Sequence, residues 1–302
     1  MFNVGLALEI VVSGIGLGSL YALVAIGFSL IYKVTDVLNF AQGQIALVGA
    51  YAIVVFAGLE FVGPFTAVAL AILLGVALGI VLERAIFRYF VGEPVLSIII
   101  VTLALIGIFQ GTVRMVPRGG PTFRGYPDAI LVDFSVPLVM GVTMRGTFAL
   151  GVVFALATML LLMAFFKYTV MGSVLRASAS DEQAAMALGV SIERNIMIAW
   201  TLSSVITVIG GILLAMARGG AGMAIEATGI VILAAVILGG LDSIPGAFIG
   251  SIVVGLLEQL GTFYIEPYLG PGFGPVLPLL FLLVVIVVIP YGLFGTERIE
   301  RL

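Results

Sequence analysis

Apolar residues in this chain come in long runs rather than in alternation. Stretches rich in Leu, Val, Ile, Ala, Phe and Gly occupy about 8–32, 41–60, 64–84, 95–116, 146–167, 195–217, 226–241, 245–265 and 276–294. A helix needs roughly 20 predominantly apolar residues to cross a bilayer, and most of these runs reach that length. The pattern predicts an all-α, polytopic integral membrane protein with about 8–9 transmembrane helices. The seventh run is short and glycine-rich, so it reads either as a ninth span or as a broken or re-entrant helix that leaves eight. Only short polar connections separate the runs, so residues 1–302 are expected to form a single membrane domain.

Two connections stand out. One, about 117–145, carries Pro and Gly throughout and predicts a loop of ordered turns. The other, about 172–195, is a polar island, and its stretch "RASASDEQAAMALGVSIERN" spans Arg176 to Asn195. Ser180 followed by Gln183 three residues later has the spacing of a capping box. Asp181 and Glu182 fall in the first turn, where the positive end of the helix dipole favours acids. Ala184, Ala185, Met186, Ala187 and Leu188 are good helix formers, and Gly189 is placed to end the helix in the left-handed conformation. Ser191 can cap the helix that follows. The island is therefore expected to hold a helix of about two turns, stopped at both ends. It fits either a connector on the membrane surface or a docking helix that presents Met186 and Leu188 to a partner.

Composition agrees and narrows the chemistry. The chain is 62% hydrophobic and 10% charged, with mean hydropathy +1.31. Its net charge of −3 points to no nucleic-acid or strongly charged partner. With no Cys and no His, thiol chemistry, the commonest catalytic base and the commonest metal ligand are all missing. No carboxylate pair shares a face of a span, and no G-x-x-x-x-G-K-[ST] phosphate loop is present. The expected protein is not an enzyme and has no cofactor or metal. The first apolar run has no Lys or Arg before it, so it reads as an uncleaved span.

A nine-span count puts Lys33, Arg84, Arg88, Lys167, Arg176, Arg194, Arg298 and Arg301 on one side, and Arg114, Arg118, Arg124, Arg145 and Arg218 on the other. Eight basic residues against five set the island and the C-terminus in the cytoplasm and the N-terminus outside.

Polar groups inside the spans are the candidate functional residues, because each is costly at membrane depth. Asn39, Gln42 and Gln44 open the second span; their amides either line a path or satisfy backbone groups freed by a helix break. Glu258 in the eighth span must face protein or water, through a structural hydrogen bond or a substrate contact. Gln110 in the fourth span has the same status. Gly14, Gly16 and Gly18 suit close helix packing. "GGLDSIP" reads as a tight connection or a gate.

Four stretches carry a family resemblance. The island resembles the cytoplasmic coupling segment of bacterial and archaeal ABC-transporter permeases of the branched-chain amino-acid (LivH/LivM) type, on the side of the LivH-like subunit. "GLGSLYALVAIGFSLIYKVTDVLNFAQGQIALVGAY" resembles that family's first two spans, with the Asn-Phe-Ala-x-Gly signature at Asn39–Gly43. "AAVILGGLDSIPGAFIGSIVVGLLEQL" and "PYGLFG" resemble its late turn, the helix after it and its C-terminal stretch. Gln42 departs from the pattern, since many relatives carry His there.

The resemblance implies a permease subunit in the prokaryotic inner or plasma membrane. It would form the translocation path of an ATP-driven importer for branched-chain or related small amino acids. The implied partners are a second homologous permease, two cytoplasmic ATP-binding subunits and an extracytoplasmic substrate-binding protein. Arg176, Asp181, Glu182, Ala185, Met186, Leu188 and Gly189 would couple it to the ATPases, and Asn39, Gln42, Gln44 and Glu258 are the path candidates. The rival reading is a secondary transporter or channel for small solutes, urea and amides included, with Glu258 the main candidate for ion coupling.

Overall fold

A computed structural model describes residues 4–90, 92–115, 123–138, 141–180, 182–289 and 292–295. Among these, six helical segments are long and apolar enough to cross a membrane. They are α1 (Val4–Thr35), α3 (Pro64–Ala85), α4 (Val95–Met115), α5 (Gly146–Tyr168), α8 (Ile192–Ala217) and the continuous stretch Ile244–Leu269. That last stretch consists of α10 (Ile244–Leu260), one π-helical turn (Gly261–Ile265) and α11 (Glu266–Leu269). Three apolar helices are shorter: α2 (Gln42–Ala57), α9 (Ala224–Gly239) and α12 (Val276–Val288). The short seventh run is thus one of three reduced helices. The island divides into α6 (Val170–Ser180) and α7 (Glu182–Ala187).

Helix α1 is the axis of the bundle. Every residue from Gly18 to Ile31 is buried, and α10, α8, α5 and α9 all pack around it. Small residues permit this. A Cβ on Gly14 would lie 2.8 Å from Leu256 Cα, and one on Gly255 would lie 2.4 Å from Gly18 N. The backbones of α1 and α10 therefore touch, as in small-xxx-small packing. Gly16 faces the other way, where a Cβ would meet the Phe148 ring of α5. On α3, Gly75 and Gly79 make the same kind of approach to α8. By contrast α4 and α5 are little buried, with Val153, Leu160 and Leu161 turned outward, as lipid-facing or subunit-facing surfaces require.

The end of α1, the α3–α4 connection and α6–α7 lie together at one end of the bundle. Val34, Phe87, Glu93, Ser178 and Trp200 line a shared cavity of about 340 Å³ there. The α9–α10 turn joins them: Ser29 Oγ donates to Leu241 O at 2.7 Å, and Lys33 Nζ donates to Asp242 O at 2.9 Å. "GGLDSIP" is built as a tight connection. Ser243 caps α10 by accepting from Gly246 N, and a Cβ on Gly239 would come within 2.0 Å of Gly246 O. Leu293 N and Phe294 N bond the carbonyls of Leu238 and Gly239, which brings residues 292–295 to the same end.

The opposite end carries the 117–145 connection, of which 117–122 and 139–140, Arg118 included, lie outside the described residues. It holds three short strands, β1 (Arg124–Gly125), β2 (Ser135–Pro137) and β3 (Thr143–Arg145), and a fourth, β4 (Gly220–Ala221), lies in the α8–α9 connection. Strand β1 pairs antiparallel with β4, and β2 with β3. Tyr126, next to β1, is buried and donates from its hydroxyl to Ala50 O at 2.7 Å, locking this cover onto α2.

Candidate translocation site

The site begins where α1 stops. Asp36 takes φ +54°, a left-handed conformation uncommon outside glycine, and this turns the chain out of the helix. An extended stretch follows, and α2 restarts at Gln42 in the interior rather than at the rim. Asn39 makes the restart. Its Oδ1 accepts from Ala41 N at 3.1 Å, and its Nδ2 donates to Gln42 Oε1 at 2.7 Å. Gln42 Nε2 then donates to Ser203 Oγ at 3.0 Å and also to Thr207 Oγ1, both on α8. Ser203 in turn donates to Gly27 O at 2.7 Å. All of these side chains are buried, so a fully bonded chain of amides and hydroxyls ties α1, α2 and α8 together. Gly27 leaves the room for it, since a Cβ there would lie 2.5 Å from Thr207 Oγ1.

Beside this network lies a cavity of about 470 Å³, within the range of small-molecule sites. Asn39, Gln42, Gln44, Gln110 and Glu226 supply its polar lining, and α1, α2, α4 and α9 all contribute wall. Phe28, Leu103, Ile106, Ile230 and Leu233 make the rest of it apolar. Gln110 Nε2 donates to Glu226 Oε1 at 3.1 Å, bridging α4 and α9. Gly43 and Gly229, both in the cavity lining, meet face to face and let α2 and α9 close against each other. Three of the four path candidates, Asn39, Gln42 and Gln44, therefore share this cavity. Glu258 does not line it. Its Oε2 accepts from the Tyr21 hydroxyl at 2.9 Å between α1 and α10.

A family model described as "Branched-chain amino acid transport system / permease component" matches residues 10–290. The chain belongs to this permease family. It is 28% identical over 305 residues to the high-affinity branched-chain amino acid transport system permease protein LivH of Salmonella typhimurium, covering 96% of each chain. It is 30% identical over 298 residues to the probable branched-chain amino acid transport permease protein LivH of Methanocaldococcus jannaschii, covering 94% of this chain and 92% of that one. The ribose import permease protein RbsC of Escherichia coli matches at 25% over 250 residues, covering 80% and 74%. No solved structure matches the chain.

The island of this permease is a two-helix hook. Arg176 donates to Phe166 O, which staples α6 to the end of α5, and to Ser173 Oγ within α6. Asn195 Nδ2 donates to Ser178 Oγ at 2.7 Å and ties α8 to α6. Helix α7 ends as expected at Gly189, whose φ is +82°. There Val190 N bonds Ala185 O and Gly189 N bonds Met186 O, the two bonds of a Schellman stop. Ser191 caps α8 by accepting from Arg194 N.

Of the proposed coupling residues, Ala185 is buried, whereas Met186 and Leu188 are 48% and 85% exposed. Asp181 lies outside the described residues, as do the side chains of the Ser180–Gln183 capping box; Glu182 opens α7. Next to the hook, Arg88 bonds the fully buried Glu83 at 3.2 Å and Glu193 at 3.4 Å, clamping the end of α3 to the first turn of α8.

Sequence reasoning does not single out Glu226. It stands at the head of an apolar run, where an acid reads as a rim residue or as a favourable first-turn charge. The available signal was the glycine-rich, shortened run itself: a helix that starts late places its first-turn acid deeper than a full span would.

Proposed function

We propose that this permease forms half of the translocation path of an ATP-driven importer for branched-chain or related small amino acids. The observation that carries the reading is the cavity between α1, α2, α4 and α9. In a chain that matches the permease family along its length, α2 restarts at membrane depth and sets three amides beside an apolar wall. Small hydrophobic amino acids need that combination of polar anchors and apolar room. Asn39 and Gln42 shape the cavity through their mutual bond, Gln44 faces it, and Glu258 acts as a tether between α1 and α10.

Power comes from outside the chain, since its sequence holds no phosphate loop. Two cytoplasmic ATPase subunits dock on the α6–α7 hook, with Met186 and Leu188 as the apolar contacts. A second permease completes the path, and an extracytoplasmic binding protein delivers substrate. In this reading the hook and the C-terminus are cytoplasmic, and the 117–145 connection faces outward with the N-terminus.

The test is uptake of radiolabelled leucine into proteoliposomes. Uptake should occur only when this permease, its ATPases, its binding protein and ATP are all present. Uptake by the permease alone under an ion gradient would favour a secondary transporter and overturn the proposal.

A further inference from the structure

Among the described residues, three buried side-chain polar atoms have no hydrogen-bond partner: Gln44 Oε1, Ser204 Oγ and Glu226 Oε2. Two of the three belong to residues that line the same cavity. Both are acceptors, and an acceptor shut away from water without a donor costs free energy. The carboxyl group of Glu226 has one hydrogen bond, from Gln110, and takes part in neither of the ion pairs found among the described residues, both of which belong to Arg88. A carboxyl group so placed, sharing its cavity with an orphaned amide oxygen, is short of donors.

We infer that Gln44 and Glu226 form a binding site for a primary ammonium group carried on a small apolar chain. The inference rests on the path reading above and names the part of the substrate the cavity recognises. An ammonium supplies three donors and one positive charge. Glu226 Oε2 takes the charge-assisted bond and Gln44 Oε1 takes a second. Terminal carboxyl and amide torsions are broad, so a small turn presents either oxygen to a ligand. The alkyl part then lies against Leu103, Ile106 and Leu233. Ser204 Oγ, which does not line the cavity, has no part in the site.

The chain has no cysteine of its own, so a single introduced one can report on the cavity. Ile230 lines the cavity one helical turn beyond Glu226 and is 64% exposed. The Ile230→Cys permease, in lipid nanodiscs with its partner subunits, is labelled with a small maleimide, and the adduct is read by mass on this chain. The probes are leucine, isoamylamine, which keeps the ammonium and alkyl chain, and isocaproate, which keeps the alkyl chain and has no ammonium. Leucine and isoamylamine should slow labelling, and isocaproate should not.

Adding Glu226→Gln should raise the half-protecting amine concentration by about tenfold or more, the loss expected for one charge-assisted bond. Glu226→Asp should restore part of the protection, and Ser204→Ala should leave it unchanged. Equal protection by isocaproate, or protection that survives Glu226→Gln, would overturn the ammonium site and leave the path reading standing. The path reading fails separately if ATP-driven leucine uptake persists after a bulky adduct is fixed on the same cysteine.

Discussion

The Tyr21 hydroxyl of α1 donates to Glu258 Oε2 of α10 at 2.9 Å, across an interface where glycines bring the two backbones into contact. An intramembrane carboxyl group on its own suggests ion coupling, but here its bond serves the packing of the two helices. Tyr21→Phe removes only that donor from a buried carboxyl group, and the expected loss of stability is about 1–3 kcal/mol. Glu258→Gln keeps an acceptor for Tyr21 and should cost less. Thermal unfolding in detergent measures both, and the substrate concentration for half-maximal uptake should stay unchanged in each.

The α1–α10 contact itself gives the strongest packing prediction. Gly255→Val sets a branched side chain against Gly14 O and Gly18 N, where even a Cβ would sit within 2.5 Å. Neither backbone can yield, so the variant should lose several kcal/mol, beyond the roughly 1–3 kcal/mol of ordinary overpacking, and little folded protein should be recovered. Gly107→Ala on α4 is the control. A Cβ there meets nothing within 4 Å, and better helix propensity should raise stability by about 0.5–1 kcal/mol. Folded yield and unfolding midpoint separate the two cases.

Docking on the hook should depend on its exposed tip. Leu188→Asp places a charge at a position that is 85% exposed and leaves the Schellman stop intact. Co-purification with the ATPase subunits should fall by at least about tenfold, with membrane insertion and melting unchanged. Ala185→Arg is the poorer probe, because Ala185 is buried and its replacement damages the hook before it damages docking.

Tyr126 supplies a pH signature outside the spans. Burial pushes its hydroxyl well above the ordinary value of 10.0, so the folded state favours the neutral phenol. Its contribution is therefore fully present below about pH 10 and is lost as pH rises through the folded value. Tyr126→Phe should remove that part of the alkaline decline. At neutral pH it should cost about 1 kcal/mol for the lost bond to Ala50 O. Melting curves measured against pH for the two proteins give both quantities.

Hydropathy along the chain located the apolar helices and nearly all of their boundaries, because a bilayer requires runs of fixed length. It did not rank them. α1 and α5 have mean hydropathies of 2.0 and 2.5, yet 72% of the apolar window of one is buried and 17% of the other. The distinguishing signal was Gly14 and Gly18, small residues one helical turn apart. Local rules also read the hook's exit well, since Gly189 and Ser191 act on neighbours a few residues away. Glu226 was not legible for the opposite reason. Its surroundings include Gln110 and Gln44, more than a hundred residues away in sequence, and only the fold brings these groups to one cavity. The same distance hid the Gln42 link to Ser203 and Thr207.

If the cavity between α1, α2, α4 and α9 lies on the transport path, filling it must stop transport. The most direct measurement is ATP-driven leucine uptake by the reconstituted Ile230→Cys transporter before and after a bulky maleimide is attached, with Val153→Cys on the exposed face of α5 as the control. Uptake should fall to background when residue 230 is modified and should be retained when residue 153 is. Full uptake through a transporter modified at residue 230 would contradict the claim.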